Sequence, residues 1–117
     1  MAQYSKLKLS ASTNGKMIKI AATATPGTLL HTAVAGILDQ DEVWLYAVNN
    51  HTANLELTLE LGGVAAPDDN VKFSVPFKSG LYLVVPGFVF NNGVAIRAFA
   101  ASANLISVTG WVNRITA

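Results

Sequence analysis

Cysteine is absent from this chain of 117 residues, so disulfides, thiolate metal sites and cysteine nucleophiles are all excluded. The absence fits a cytoplasmic origin. Charge is scarce as well. Acidic and basic residues make up 13% of the chain, about half the roughly 25% usual in soluble domains. Eight basic residues against seven acidic ones leave a net charge of +1, which is no electrostatic footprint for nucleic acid or an anionic membrane. Long hydrophobic runs are missing: stretches such as Leu81 to Val85 fall far below the ~20 residues of a spanning helix. The opening Met-Ala-Gln-Tyr-Ser-Lys lacks the apolar core of a signal peptide, and none is expected. No helical period extends beyond two turns.

What the chain has instead is apolar residues, 51% of the total, in short runs broken by Gly, Pro, Asn and Asp. Tyr4 to Leu9 alternates, with Lys6 and Lys8 on one face and Leu7 and Leu9 on the other, as a half-exposed strand does. Asn14-Gly15 is a hairpin signal leading into a second alternating run, Lys16 to Ile20. Pro26-Gly27 suits a type II turn before a third strand, Thr28 to Val34. Ala35 to Glu42 reads as a connection. Glu42 to Val48 is apolar on both parities, so both its faces should be covered, one by an opposite sheet and the other by a loop or a neighbouring subunit.

Leu55 to Leu61 is the cleanest alternation, with four leucines directed inward and Glu56, Thr58 and Glu60 outward. Val71 to Phe77 alternates too, and Pro76 marks an edge strand or a strand end. Leu81 to Val85, Val94 to Ala100 and Leu105 to Ile115 complete the set. Gly110 inside the last run implies a bulge or a close backbone approach. About eight to nine short, mainly antiparallel strands predict an all-β fold, a single β-sandwich or jelly-roll-like barrel over 1–117. Residues 1–3 are expected to form an N-terminal arm, and Met1 to Ser5 is the stretch able to reach a neighbour.

The search for chemistry is negative. His31, in an apolar β-branched context, reads as a satisfied strand residue, and His51, in a polar turn, as a solvated one. Two isolated histidines without cysteine do not make a zinc site. Asp39, Asp41 and Glu42 read as a solvated acidic loop lacking the glycine and distal glutamate of a calcium loop, and Asp68-Asp69 as turn residues. Glu56 and Glu60 lie about 13 Å apart on one strand face, too far for a glycosidase pair, and pairing with Lys or Arg across the sheet is expected. No nucleophile elbow, P-loop or dinucleotide fingerprint is present. Asn50-His51-Thr52 matches a glycosylation sequon only formally. The aromatics, among them Trp44, Tyr46, Tyr82 and Trp111, are not interleaved with basic residues as in nucleic-acid readers. Catalytic residues, metal sites and cofactors are therefore not expected.

Sparse charge with abundant apolar residues has two explanations. One is a neutral surface of Ala, Thr, Ser and Asn. The other, which we favour, is a face buried in a homo-oligomer or larger assembly, because obligate interfaces resemble cut cores.

The segments Lys6 to Ala33, Asp41 to Asn50, Lys78 to Gly87, Asn91 to Ala100 and Gly110 to Ile115 together resemble small structural proteins of tailed-bacteriophage virions, most closely capsid decoration, or cement, proteins. The likeness is one of overall texture and covers nearly the whole chain. It implies a non-enzymatic β-domain, made in the host cytoplasm, that binds the major capsid protein on the virion surface as a homotrimer. Alternatives are a head–tail connector or tail component and, from another class, a carbohydrate-binding sandwich with exposed Trp and Tyr. The candidate interface residues are Tyr4, Trp44, Tyr46, Leu81, Tyr82 and Leu83.

Overall fold

The computed structural model describes residues 2–117; Met1, the first residue of the expected arm, lies outside the described residues. Among these, nine strands form and no helix: β1 (Gln3–Lys8), β2 (Ile18–Lys19), β3 (Thr28–Thr32), β4 (Gln40–Asn49), β5 (Leu55–Leu61), β6 (Asn70–Val75), β7 (Tyr82–Phe90), β8 (Ala95–Ala100) and β9 (Ile106–Thr116). One sheet runs β1-β9-β4-β7, with β2 also paired to β9, and the other runs β3-β8-β5-β6. The expected all-β sandwich is the fold.

The antiparallel pairing is nested. The β5–β6 hairpin is innermost, β4 pairs with β7, β3 with β8 and β1 with β9. A long antiparallel ribbon folded over on itself produces this order, which is the winding of a jelly roll. The core lies between the sheets, where Val43, Leu45 and Ala47 of β4 join Leu57 and Leu59 of β5, Ile96 and Ala98 of β8, and Val108 and Val112 of β9 in one buried cluster.

Several local expectations change. Residues 3–5 are not an arm: Gln3, Tyr4 and Ser5 pair with Thr116, Ile115 and Arg114. Asn14 and Gly15 both take the left-handed conformation, and Lys16 N–H closes the turn onto Thr13 O at 3.0 Å. The flanking strands nevertheless pair with separate stretches of β9 and not with each other. The chain between them is drawn to β3, where Ala11 N–H bonds Leu30 O and Thr32 N–H bonds Ser10 Oγ. Gly27 makes no type II turn, since its backbone is not left-handed; it is needed because a Cβ there would lie 2.5 Å from the Ala98 carbonyl oxygen. β7 runs on through Pro86-Gly87 to Phe90, past Val85, where the sequence predicts the strand to end. As the sheet's last strand it has a free edge that tolerates proline. Its register shifts twice against β4, and Val84 and Val85 are both buried.

The outward face of β5 is the largest correction. Glu56 is exposed, but Thr58 and Glu60 are buried. The segment 21–27 is strapped over them. Thr25 Oγ1 donates to Glu60 Oε2 and Gly27 N–H to Glu60 Oε1, both at 2.6 Å, while Ala100 N–H bonds Ala22 O. Arg97, the cross-strand neighbour of Glu60, donates to Gly27 O at 3.3 Å and forms no ion pair with that carboxylate.

Candidate functional site

Residues directly opposed across strands share a face, so the register maps the outer surface of the β1-β9-β4-β7 sheet row by row. Lys8, Trp111, Trp44 and Pro86 form one row; Thr109, Tyr46 and Leu83 a second; Lys6, Asn113, Glu42 and Val89 a third. Tyr4, Ile115 and Gln40 follow. Lysines stand on the β1 side of this face and aliphatic residues on the β7 side.

At its centre the rings of Trp44 and Trp111 stack with centroids 5.9 Å apart at 13°, and Tyr46 stacks on Trp111 at 5.8 Å and 27°. Lys6 Nζ lies 5.3 Å from the Trp111 ring centre, within the range of a cation–π contact. Trp44 Nε1–H donates to Glu42 Oε1 at 2.6 Å, as does Asn113 Nδ2 at 3.0 Å. These two bonds, the Trp44 bond foremost, hold the Glu42 carboxyl below its ordinary range. The Trp44 bond also fixes the ring, whose Nε1 edge lies against Gly87, where a Cβ would come within 2.8 Å of Cζ2. The three rings are engaged with one another and with their neighbours, and each remains partly exposed.

Of the six expected interface residues, Tyr4 (74% exposed) and Leu83 (42%) stand on this outer face, and Trp44 and Tyr46 are half-buried within it. Leu81 is exposed ahead of β7. Tyr82 packs partly against the core. Sequence reasoning did not single out Val89 (51% exposed), Phe88 or the loop pair Ile37-Leu38, all exposed. An apolar dipeptide inside the acidic connection was the available signal for the last two.

Asp39, Asp41 and Glu42 do not form a solvated acidic loop. β4 starts at Gln40, and Asp41 is fully buried. Arg114 Nε donates to Asp41 Oδ1 at 2.7 Å; Arg114 Nη2, His31 Nε2 and Val34 N–H reach Oδ2 at 3.0, 2.8 and 3.0 Å. Burial pushes the Asp41 carboxyl up, but the hydrogen bonds of Arg114 and His31 and the charge of Arg114 outweigh it and hold the carboxyl below its usual range. The same contact raises the Arg114 guanidinium.

Ser10, His31 and Asp41 have the composition of a catalytic triad without its geometry. The Ser10 backbone N–H, not its hydroxyl, meets His31 Nδ1 at 3.0 Å, and Ser10 Oγ accepts from Thr32 N–H. With Nδ1 accepting, the network assigns the proton to Nε2, facing Asp41. His31 is 1% exposed and both its nitrogens are engaged, so it is a strand residue with a satisfied ring. No group of three His, Cys, Asp or Glu able to hold a metal occurs among the described residues. No protein family, curated protein or solved structure matches the chain.

Proposed function

We propose that this chain is a non-enzymatic structural protein that works by surface burial, a decoration protein that binds the major capsid protein of a tailed phage on the virion surface and associates with itself as a homotrimer. The single observation that carries the reading is the outer face of the β1-β9-β4-β7 sheet, where Tyr4, Leu83 and Val89 stand exposed around the Trp44–Trp111–Tyr46 stack. Covering the exposed remainder of such a side chain stabilises a contact by roughly 1 kcal/mol, and symmetry multiplies that gain. The separation of lysines from aliphatic residues suits a ring. In a trimer each contact joins two different patches, so the lysine side of one copy need not oppose itself. Jelly rolls occur in viral capsid and lectin domains alike, so the winding enters as fold-level analogy only.

Multi-angle light scattering of the purified protein at micromolar concentration should give three times the mass of one chain; a clean monomer would sink the trimer. Immunogold labelling of virions encoded by the same genome should decorate the head. Label confined to the neck or the tail would replace the capsid reading with a connector or tail role.

A further inference from the structure

An open pocket of about 440 Å³ lies where residues 48–52, leaving β4 for β5, face Lys78 and Gly80, which lead from β6 to β7. Both segments cross between the two sheets, so the pocket sits at one end of the sandwich, where Val48, two residues beyond Tyr46 on the same face of β4, borders the aromatic face. Its walls are held in place. Asn49 is buried, and its Nδ2 donates to Ala53 O at 3.0 Å and to Val75 O at 2.8 Å, while its Oδ1 accepts from His51 N–H at 2.9 Å. Those bonds tie the β4–β5 connection to the end of β6. On the facing side, Ser79 Oγ donates to Pro76 O at 2.8 Å, and Lys78 holds φ of 58°. This left-handed conformation is one that side-chain-bearing residues avoid and that gathers at ligand sites.

The lining is one-sided in charge. Among the described residues that line it, the only titratable side chains are those of His51 and Lys78, and none is a carboxylate. Asn50 and Thr52 add an amide and a hydroxyl, and Val48 an apolar wall. The volume falls within the range of small-molecule sites.

We propose that this pocket binds a small organic anion through carboxylate or phosphate oxygens, with the Lys78 ammonium as the charged donor and the side chains of His51, Asn50 and Thr52 as further donors. The site does not rest on the assembly reading, so its failure would leave that reading untouched.

Titration of the full chain, 15N-labelled, with sodium phosphate and separately with sodium acetate, at ionic strength held constant with sodium chloride, tests the site. The amides of residues 50–52 and 78–80 should shift saturably in the millimolar range. Saturation by phosphate alone, or by acetate alone, supports the site and fixes which oxyanion it takes. Lys78→Gly removes the ammonium and relieves the left-handed backbone. It should melt no lower than the parent and bind about tenfold more weakly or worse. Lys78→Gln should lose binding to the same extent. Shifts that stay linear to about 100 mM, shifts confined to other residues, or undiminished binding by both variants would overturn the proposal.

Discussion

Asp41 concentrates the polar energetics of the interior at one carboxylate. It is sealed from water and takes hydrogen bonds from Arg114, His31 and Val34. Removing the arginine leaves a buried charge without its counter-ion, which costs more than a surface pair could. Arg114→Gln should therefore lower unfolding free energy by about 2–3 kcal/mol in urea denaturation. The pH dependence follows from the direction of the shift. The free Asp41 carboxyl titrates near 3.8 and the folded one lower, so the unfolded chain binds the proton more tightly. The stability this adds is full above about pH 5 and is lost as pH falls through the folded value. Asp41→Asn should flatten the acid limb of stability measured between about pH 2 and pH 5, and a limb as steep as the parent's would place the titration elsewhere. Reading His31 as a satisfied strand residue needed only its apolar context. Reading Asp41 as solvated failed because sequence spacing does not show that Arg114, 73 positions away, lies on the adjacent strand.

At the scale of elements, alternation located the strands, and crossings of the chain over the sheets changed which faces are wet. Leu55 to Leu61 is a strand with the expected bounds, yet Glu60 is covered by the 21–27 strap. Two predictions belong to this strap. Glu60→Gln cannot accept at both positions as the carboxylate does, so one donor loses its partner at a cost of about 1–3 kcal/mol; hydrogen exchange at Ala22 and Gly27 should accelerate. Gly27→Ala places a methyl group against the Ala98 backbone and should cost at least as much, read as a fall in melting temperature. Gly110 was legible in sequence as a bulge or a close approach, and it is the close approach: a Cβ there would collide with the Trp44 carbonyl oxygen. The Asn14-Gly15 turn was legible too, but a turn dictates only its own four residues. The partner of each flanking strand was decided by β9, which is long enough to pair with both.

For the whole molecule, the sheet face carrying Leu83 is the surface on which assembly would depend. Leu83 is already 42% exposed, so Leu83→Glu should change stability by about 0.5 kcal/mol or less while shifting light scattering from trimer to monomer. An unchanged trimer mass would move the contact off this face. Composition and period-two patterning determined by themselves that this chain is all-β and that cysteine chemistry is closed to it, because those properties are local or additive along the chain. The nested pairing, the burial of Asp41 and Glu60 and the gathering of Trp44, Tyr46 and Trp111 on one face were decided only by the tertiary structure. Each depends on which distant strand lies alongside, and that choice is made by the packing of the two sheets as a whole, not by any single segment.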